Sequence, residues 1–100
     1  MMTKYLDEFR RCIGEQRYFD AHEILEEVWF PRRFENCDEV KLLKGFINAA
    51  VSLELAKRGK YLSSKKVWDN YLKYKPYLNK IDSPYKKQYQ ATAIYIENLI

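Results

Sequence analysis

The sequence predicts a small all-α protein, an antiparallel bundle of about five helices in a single domain spanning residues 1–100. Apolar residues recur at steps of three and four along most of the chain, the period of a helix with one buried face. Only three glycines and three prolines are present, fewer than an all-β chain needs for its turns. The segments between these helices are short, which favours antiparallel neighbours.

The first two helices are predicted over residues 3–13 and 18–30. Thr3 is a suitable N-cap for the first helix, and Gly14 is a suitable stop. Pro31 prevents the second helix from continuing, because proline lacks the N–H that the next turn needs. The apolar face of the second helix is expected to centre on Ala21, Leu25 and Val28.

The third and longest helix is predicted from residue 38 or 39 to residue 58. Asp38 is a candidate N-cap, and Gly59 is expected to close the helix. The helix is apolar around most of its circumference, which predicts a central, buried position. Two features interrupt this pattern. The first is a stripe of small residues that would let another helix approach closely, and the second is a carboxylate that needs a partner or an open position. The stripe is Gly45, Asn48 and Ser52, and the carboxylate is Glu54.

The last two helices are predicted over residues 63–74 and 84–99. The fourth is expected to begin near Ser63 or Ser64 and to end or kink at Pro76. Ser83 and Pro84 are typical of an N-cap followed by proline in the first turn. The predicted inward-facing residues are Val67, Trp68, Tyr71 and Leu72 in the fourth helix and Tyr85, Tyr89, Thr92, Ile96 and Leu99 in the fifth.

Composition predicts a soluble, cytoplasmic protein without a membrane anchor. Hydrophobic residues make up 47% of the chain and charged residues 32%, but no apolar run approaches the roughly 20 residues of a membrane span. The N-terminal residues lack the apolar core of a secretory signal. Cys12 and Cys37 show no C-x-x-C spacing, so we expect two reduced thiols rather than a disulfide.

The charge is unevenly distributed along the chain. Residues 1–50 carry a net charge of −2 and residues 51–100 carry +6. A basic C-terminal half is compatible with nucleic-acid binding. Its lysine-rich character is more typical of a solvated surface, because specific phosphate and base contacts depend strongly on arginine. A nucleic-acid partner is therefore the less favoured interpretation, but it stays open.

One polar cluster in the second helix is the main candidate for a site. His22 and Glu26 are four residues apart and share a helical face. A structural interpretation joins them to Asn48 of the third helix, so that the imidazole holds the two helices in register. The protein would then be an interaction or scaffold module that binds a protein partner or a second copy. The full cluster is His22, Glu23, Glu26, Trp29, Asn48 and Glu54.

Two chemical interpretations of the same cluster stay open. In the first, His22 and Glu26 bind Zn, Mn or Fe, with Glu23 and Glu54 as further ligands. The zinc-protease pattern H-E-x-x-H is absent, since position 26 is not histidine. In the second, His22 acts as a general base oriented by Glu26, although no serine or cysteine nucleophile is placed near it by spacing. Neither pattern is specific enough to predict a cofactor or an enzymatic activity.

The stretch from Tyr18 to Trp29, which contains A-H-E-x-L-E-x-x-W, resembles the family called domain of unknown function 309. The resemblance extends over residues 18–68 and includes Gly45, Ile47 and Ala50 at the start of a second helix. Asn48 replaces the family's usual glutamine, and Glu54 lies where histidine or lysine is frequent. The family's usual asparagine after Gly59 is replaced by Lys60. The resemblance implies a small helical bundle and no established activity.

Overall fold

Five α-helices make up most of residues 2–99, the part of the chain that the computed structural model describes, and this part contains no strand. The predicted all-α class is therefore confirmed. The helices are α1 (Met2–Gly14), α2 (Tyr18–Trp29), α3 (Asp38–Lys57), α4 (Tyr61–Tyr74) and α5 (Lys86–Glu97). Two 3₁₀ helices, Phe30–Arg32 and Lys75–Asn79, follow α2 and α4 and contain Pro31 and Pro76. Within residues 2–99, no helix combines the length and apolarity needed to cross a bilayer.

Helix α3 is the centre of the fold, as its apolar circumference predicts. It makes its most extensive contacts with α2 on one side and α4 on the other. Phe46 is fully buried at its midpoint. Its ring lies 6.3 Å from that of Phe9 in α1, 5.8 Å from that of Tyr71 in α4 and 6.1 Å from that of Tyr89 in α5. One aromatic cluster therefore joins α3 to three other helices.

The small-residue stripe of α3 receives α4. A Cβ atom on Gly45 would lie only 2.8 Å from the Cβ of Tyr74, so glycine is required for this close approach. Further along, the hydroxyls of Ser52 and Ser64 each donate to the other residue's carbonyl oxygen at 2.8 Å. These reciprocal bonds satisfy buried polar groups between the helices. The predicted close approach of a second helix is confirmed.

Left-handed residues end both α1 and α3. Gly59, with φ of +78°, closes α3 as predicted, and the Lys60 N–H reaches the Leu55 carbonyl at 2.8 Å. This pattern satisfies carbonyls that the helix end would leave free. In α1 the corresponding residue is Gln16, with φ of +60°. Gly14, the predicted stop, is the last residue inside the helix.

Three of the predicted helix starts are wrong by one or two residues. Helix α1 begins at Met2 rather than Thr3, and α4 begins at Tyr61, directly after the turn that closes α3. Helix α5 begins at Lys86 because Ser83 forms a turn before it, in which its hydroxyl accepts the Tyr85 N–H at 3.1 Å.

Helix α3 begins at Asp38 as predicted, but the capping position belongs to Cys37, and no side chain caps the helix there. The predicted inward orientation is also wrong for two residues. Leu72 of α4 and Leu99, which follows α5, are both exposed. Tyr71 and Tyr89, by contrast, are fully buried as predicted.

The two buried tyrosines bind carboxylates across the interior. The Tyr71 hydroxyl donates to Glu97 at 2.7 Å, and that carboxylate also accepts a hydrogen bond from Lys75 at 2.8 Å. The Tyr89 hydroxyl donates to Glu39 at 2.7 Å. Burial, reinforced by these hydrogen bonds to carboxylates, raises the pKa of both phenols far above the ordinary value. The first pair joins α5 to α4, and the second joins α5 to α3.

Candidate functional site

His22 lies on the edge of α2 that faces α3, and both of its ring nitrogens are engaged. Its Nδ1 lies 2.8 Å from the carbonyl oxygen of Phe19. Because a carbonyl only accepts, Nδ1 carries the proton. Its Nε2 lies 3.3 Å from a carboxylate oxygen of Glu26. The contact that the four-residue spacing predicts is therefore formed, with the His22 side chain 18% exposed and that of Glu26 46% exposed.

Asn48 does not join this pair, so the predicted bond between Asn48 and His22 is wrong. Its amide nitrogen donates to the Lys44 carbonyl at 2.8 Å, and its amide oxygen lies 3.5 Å from the amide nitrogen of Asn70 in α4. The physical reason is the direction of the stripe. Gly45 and Ser52, which share the helical face of Asn48, both contact α4.

Glu54 has the partner that its place on an apolar helix requires. Arg58, one turn later, donates to its carboxylate at 2.6 Å, and the Glu54 side chain is 20% exposed. Glu54 and His22 both line one cavity of about 200 Å³ between α2 and α3, here called the His22 cavity. The cavity is lined by Tyr18, Phe19, His22, Val51, Glu54, Leu55 and Arg58.

The remaining members of the predicted cluster lie apart from this cavity. Glu23 points outward and is exposed. Trp29, two turns beyond His22, is half-buried, and the Lys44 ammonium lies 5.9 Å from its ring centre. Because α2 and α3 are packed with His22 near Glu54 and Trp29 near Lys44, they run antiparallel. The predicted cluster is thus divided between two ends of one helix pair.

The geometry offers little for metal binding or nucleophilic catalysis. Among residues 2–99, no three His, Cys, Asp or Glu side chains converge as a metal site would need. Glu54 is engaged by Arg58 instead. Both cysteines are free thiols, but Cys12 is buried in the core, where burial raises the pKa of its thiol. Cys37 does not line the His22 cavity.

A second surface feature was missed by sequence reasoning. A groove of about 350 Å³ lies at the end of α2 and α3 that holds Trp29, and we call it the aromatic–lysine groove. It collects side chains from α2, α3, α4 and both 3₁₀-containing connections, so no local spacing predicts it. The alternation of Lys and Tyr over residues 73–77 is its only sequence signal. The lining residues are Trp29, Arg33, Glu35, Val40, Lys41, Lys44, Lys73, Tyr74 and Tyr77.

Fold and site together define a class: a small helical bundle with a histidine–glutamate pair on the seam between two antiparallel helices. The chain belongs to the family described as Domain of unknown function (DUF309), whose model matches residues 6–67. The match covers most of α1, all of α2 and α3, and the first half of α4. It begins earlier than the resemblance over residues 18–68 indicates. No curated protein and no solved structure matches the chain.

Proposed function

We propose that the protein is a non-catalytic interaction module, and that the His22 cavity receives an apolar side chain of a protein partner. The observation that carries this proposal is the exposed ring of Phe19 at the cavity rim. Phe19 is 53% exposed although it is a large apolar residue. Aromatic side chains that flank a small pocket are frequent anchors of protein interfaces.

The size of the cavity supports a single side chain as its occupant. Small-molecule sites usually enclose about 300–1,000 Å³, whereas the His22 cavity encloses about 200 Å³. Tyr18, Val51 and Leu55 supply an apolar lining, and Glu54 with Arg58 supplies a polar rim. An apolar centre with a polar rim is the usual arrangement of a protein interface.

In this proposal, His22 positions Phe19. The imidazole ring packs against the Phe19 ring, with the ring centres 5.1 Å apart. Its Nδ1–H is bonded to the Phe19 carbonyl, and the Glu26 carboxylate lies 3.3 Å from its Nε2 on the other side. Phe19 is thereby held before a partner arrives, which lowers the ordering cost of binding.

A random-peptide display selection against the whole chain tests the proposal even while the partner is unidentified. We expect enriched peptides to share one large apolar residue and to lose at least tenfold in affinity for the variant Phe19→Ser. The matched control is Ile94→Ser, because Ile94 is a similarly exposed apolar residue, at 62%, on α5. Its affinity for the peptides should be unchanged.

Two outcomes count against the proposal. The first is a selection that enriches no peptide sequence above the naive library. The second is a set of peptides that bind Phe19→Ser as tightly as the unmodified chain. Sedimentation velocity of the same two variants shows whether a second copy is the partner: a dimer that only Phe19→Ser disrupts would identify it.

A further inference from the structure

The aromatic–lysine groove carries cations that lack carboxylate partners. Arg33, Lys41, Lys44 and Lys73 line it, and none of them lies within 4 Å of a carboxylate in the described part of the chain. Among the described residues that line the groove, Glu35 is the one acidic residue, and it is paired with Arg32 at 3.2 Å. The groove therefore has an excess of uncompensated positive charge, which attracts an anionic ligand.

The same groove presents aromatic rings at the surface. Trp29, Tyr74 and Tyr77 are half-buried, so each keeps part of its ring accessible. The Lys44 ammonium lies 5.9 Å from the Trp29 ring centre and 5.8 Å from that of Tyr74, while Lys41 lies 5.1 Å from that of Tyr77. Such contacts between an ammonium and a ring are weak where water reaches them. An anionic ligand that binds the lysines therefore has little to compete with at these rings.

We propose that the aromatic–lysine groove binds single-stranded nucleic acid. Unpaired bases stack on the accessible parts of the rings while the lysines and Arg33 contact the phosphates, which is how sequence-tolerant single-strand sites are built. The bases of a duplex are stacked and paired, so they cannot stack on these rings. An inorganic polyanion has no bases and would contact only the cations. The site is separate from the His22 cavity, since the two groups of lining residues do not overlap.

Fluorescence anisotropy of a labelled oligo(dT) of about 12 nucleotides tests the proposal. The groove variant is Lys44→Ala with Lys73→Ala, and the control is Lys65→Ala with Lys66→Ala. All four lysines are exposed, the latter two lie on α4 outside the groove, and both variants lose the same charge. We expect at least tenfold weaker binding by the groove variant only. The slope of the logarithm of the association constant against the logarithm of the salt concentration is negative. It should become shallower by about 1.4, since each of the two lost phosphate contacts on a single strand contributes about 0.7.

Tryptophan fluorescence tests whether bases stack in the groove. The chain has two tryptophans, so Trp68→Phe leaves Trp29 as the only one. We expect oligo(dT) to quench Trp29 and inorganic polyphosphate of equal charge to leave it unchanged. The proposal is overturned by equal weakening of both lysine variants, by equal quenching from polyphosphate, by equally tight binding of a duplex, or by no binding at about 50 mM salt.

Discussion

At the scale of single residues, His22 takes both of its partners from its own helix. The Phe19 carbonyl and the Glu26 carboxylate bracket the imidazole along α2. The ring therefore stiffens the edge of α2 that borders the His22 cavity, and it does not bridge to α3. Removing an imidazole with this role should therefore lower the stability of the fold by a moderate, measurable amount.

Replacing His22 by alanine should destabilise the protein by about 1 kcal/mol, since the hydrogen bond to the Phe19 carbonyl is lost. For a domain of this size, that lowers the melting temperature by about 4–8 °C. Thermal unfolding followed by circular dichroism measures the shift. The control is Glu23→Ala on the same helix, because Glu23 is exposed and alanine favours the helix in both variants. Equal melting temperatures for the two variants would contradict this role of His22.

The sequence predicts the contact between His22 and Glu26 because a four-residue spacing fixes their geometry wherever the helix lies. It also correctly predicts that Glu54 needs a partner. It could not predict the direction of Asn48, since the rotation of α3 relative to two flanking helices depends on packing across the whole bundle. The aromatic–lysine groove could not be predicted for the same reason.

At the scale of helices, the contact between α3 and α4 depends on the absence of a side chain at Gly45. The position lies opposite the Cβ of Tyr74, and a Cβ is the part of a side chain that cannot rotate away. Only a shift of the helix axis would make room for a methyl group. Gly14 is different, since its only close neighbour among residues 2–99 is the hydroxyl end of Tyr95, which can turn aside.

Gly45→Ala should therefore lower the free energy of unfolding by about 1–3 kcal/mol through overpacking, even though alanine favours a helix by about 1 kcal/mol. Gly14→Ala is the matched control and should be neutral or stabilising. Urea denaturation of both variants gives the comparison. A gain in stability for Gly45→Ala as large as that for Gly14→Ala would show that α4 does not approach as closely as described.

Helix boundaries were predictable where the signal is local. Gly59 closes α3 because a glycine readily adopts positive φ, and this residue is visible in the sequence. The end of α1 was mispredicted because Gln16 adopts the left-handed conformation, which a non-glycine residue rarely does. The start of α5 was mispredicted because the Ser83 hydroxyl serves a turn rather than a helix cap.

At the scale of the whole molecule, the C-terminal helix is fastened by pairs that are distant in sequence. Tyr89 reaches Glu39 across 50 positions, and Tyr71 reaches Glu97 across 26. Burial alone would raise the pKa of Glu97, but hydrogen bonds from Lys75 and Tyr71 outweigh it and lower that pKa below its ordinary value. No local spacing predicts such pairs, although the abundance of tyrosine indicates that some would be interior.

The two buried tyrosines should make the protein sensitive to alkali. Because their pKa is raised on folding, their contribution is complete below the unfolded pKa of about 10 and is lost as the pH rises further. The free energy of unfolding should then fall by up to about 1.4 kcal/mol per pH unit for each tyrosine. Urea denaturation from pH 8 to pH values above about 10 measures this slope.

The double variant Tyr71→Phe with Tyr89→Phe should have a shallower slope, although it is less stable near neutral pH because two carboxylates lose a donor. Tyr61→Phe is the control and should keep the slope of the unmodified chain, since the Tyr61 side chain is 71% exposed. The same slope in all three proteins would show that the phenols are not held as described.

The two cysteines differ in burial, and this difference provides one site at which a probe can be attached. Cys12 is buried within the core, whereas Cys37 is half-buried at the N-cap position of α3. A thiol-directed dye should therefore label the native chain at Cys37, and uptake at Cys12 would report opening of the bundle. A probe can thus be placed on this protein without altering a single residue.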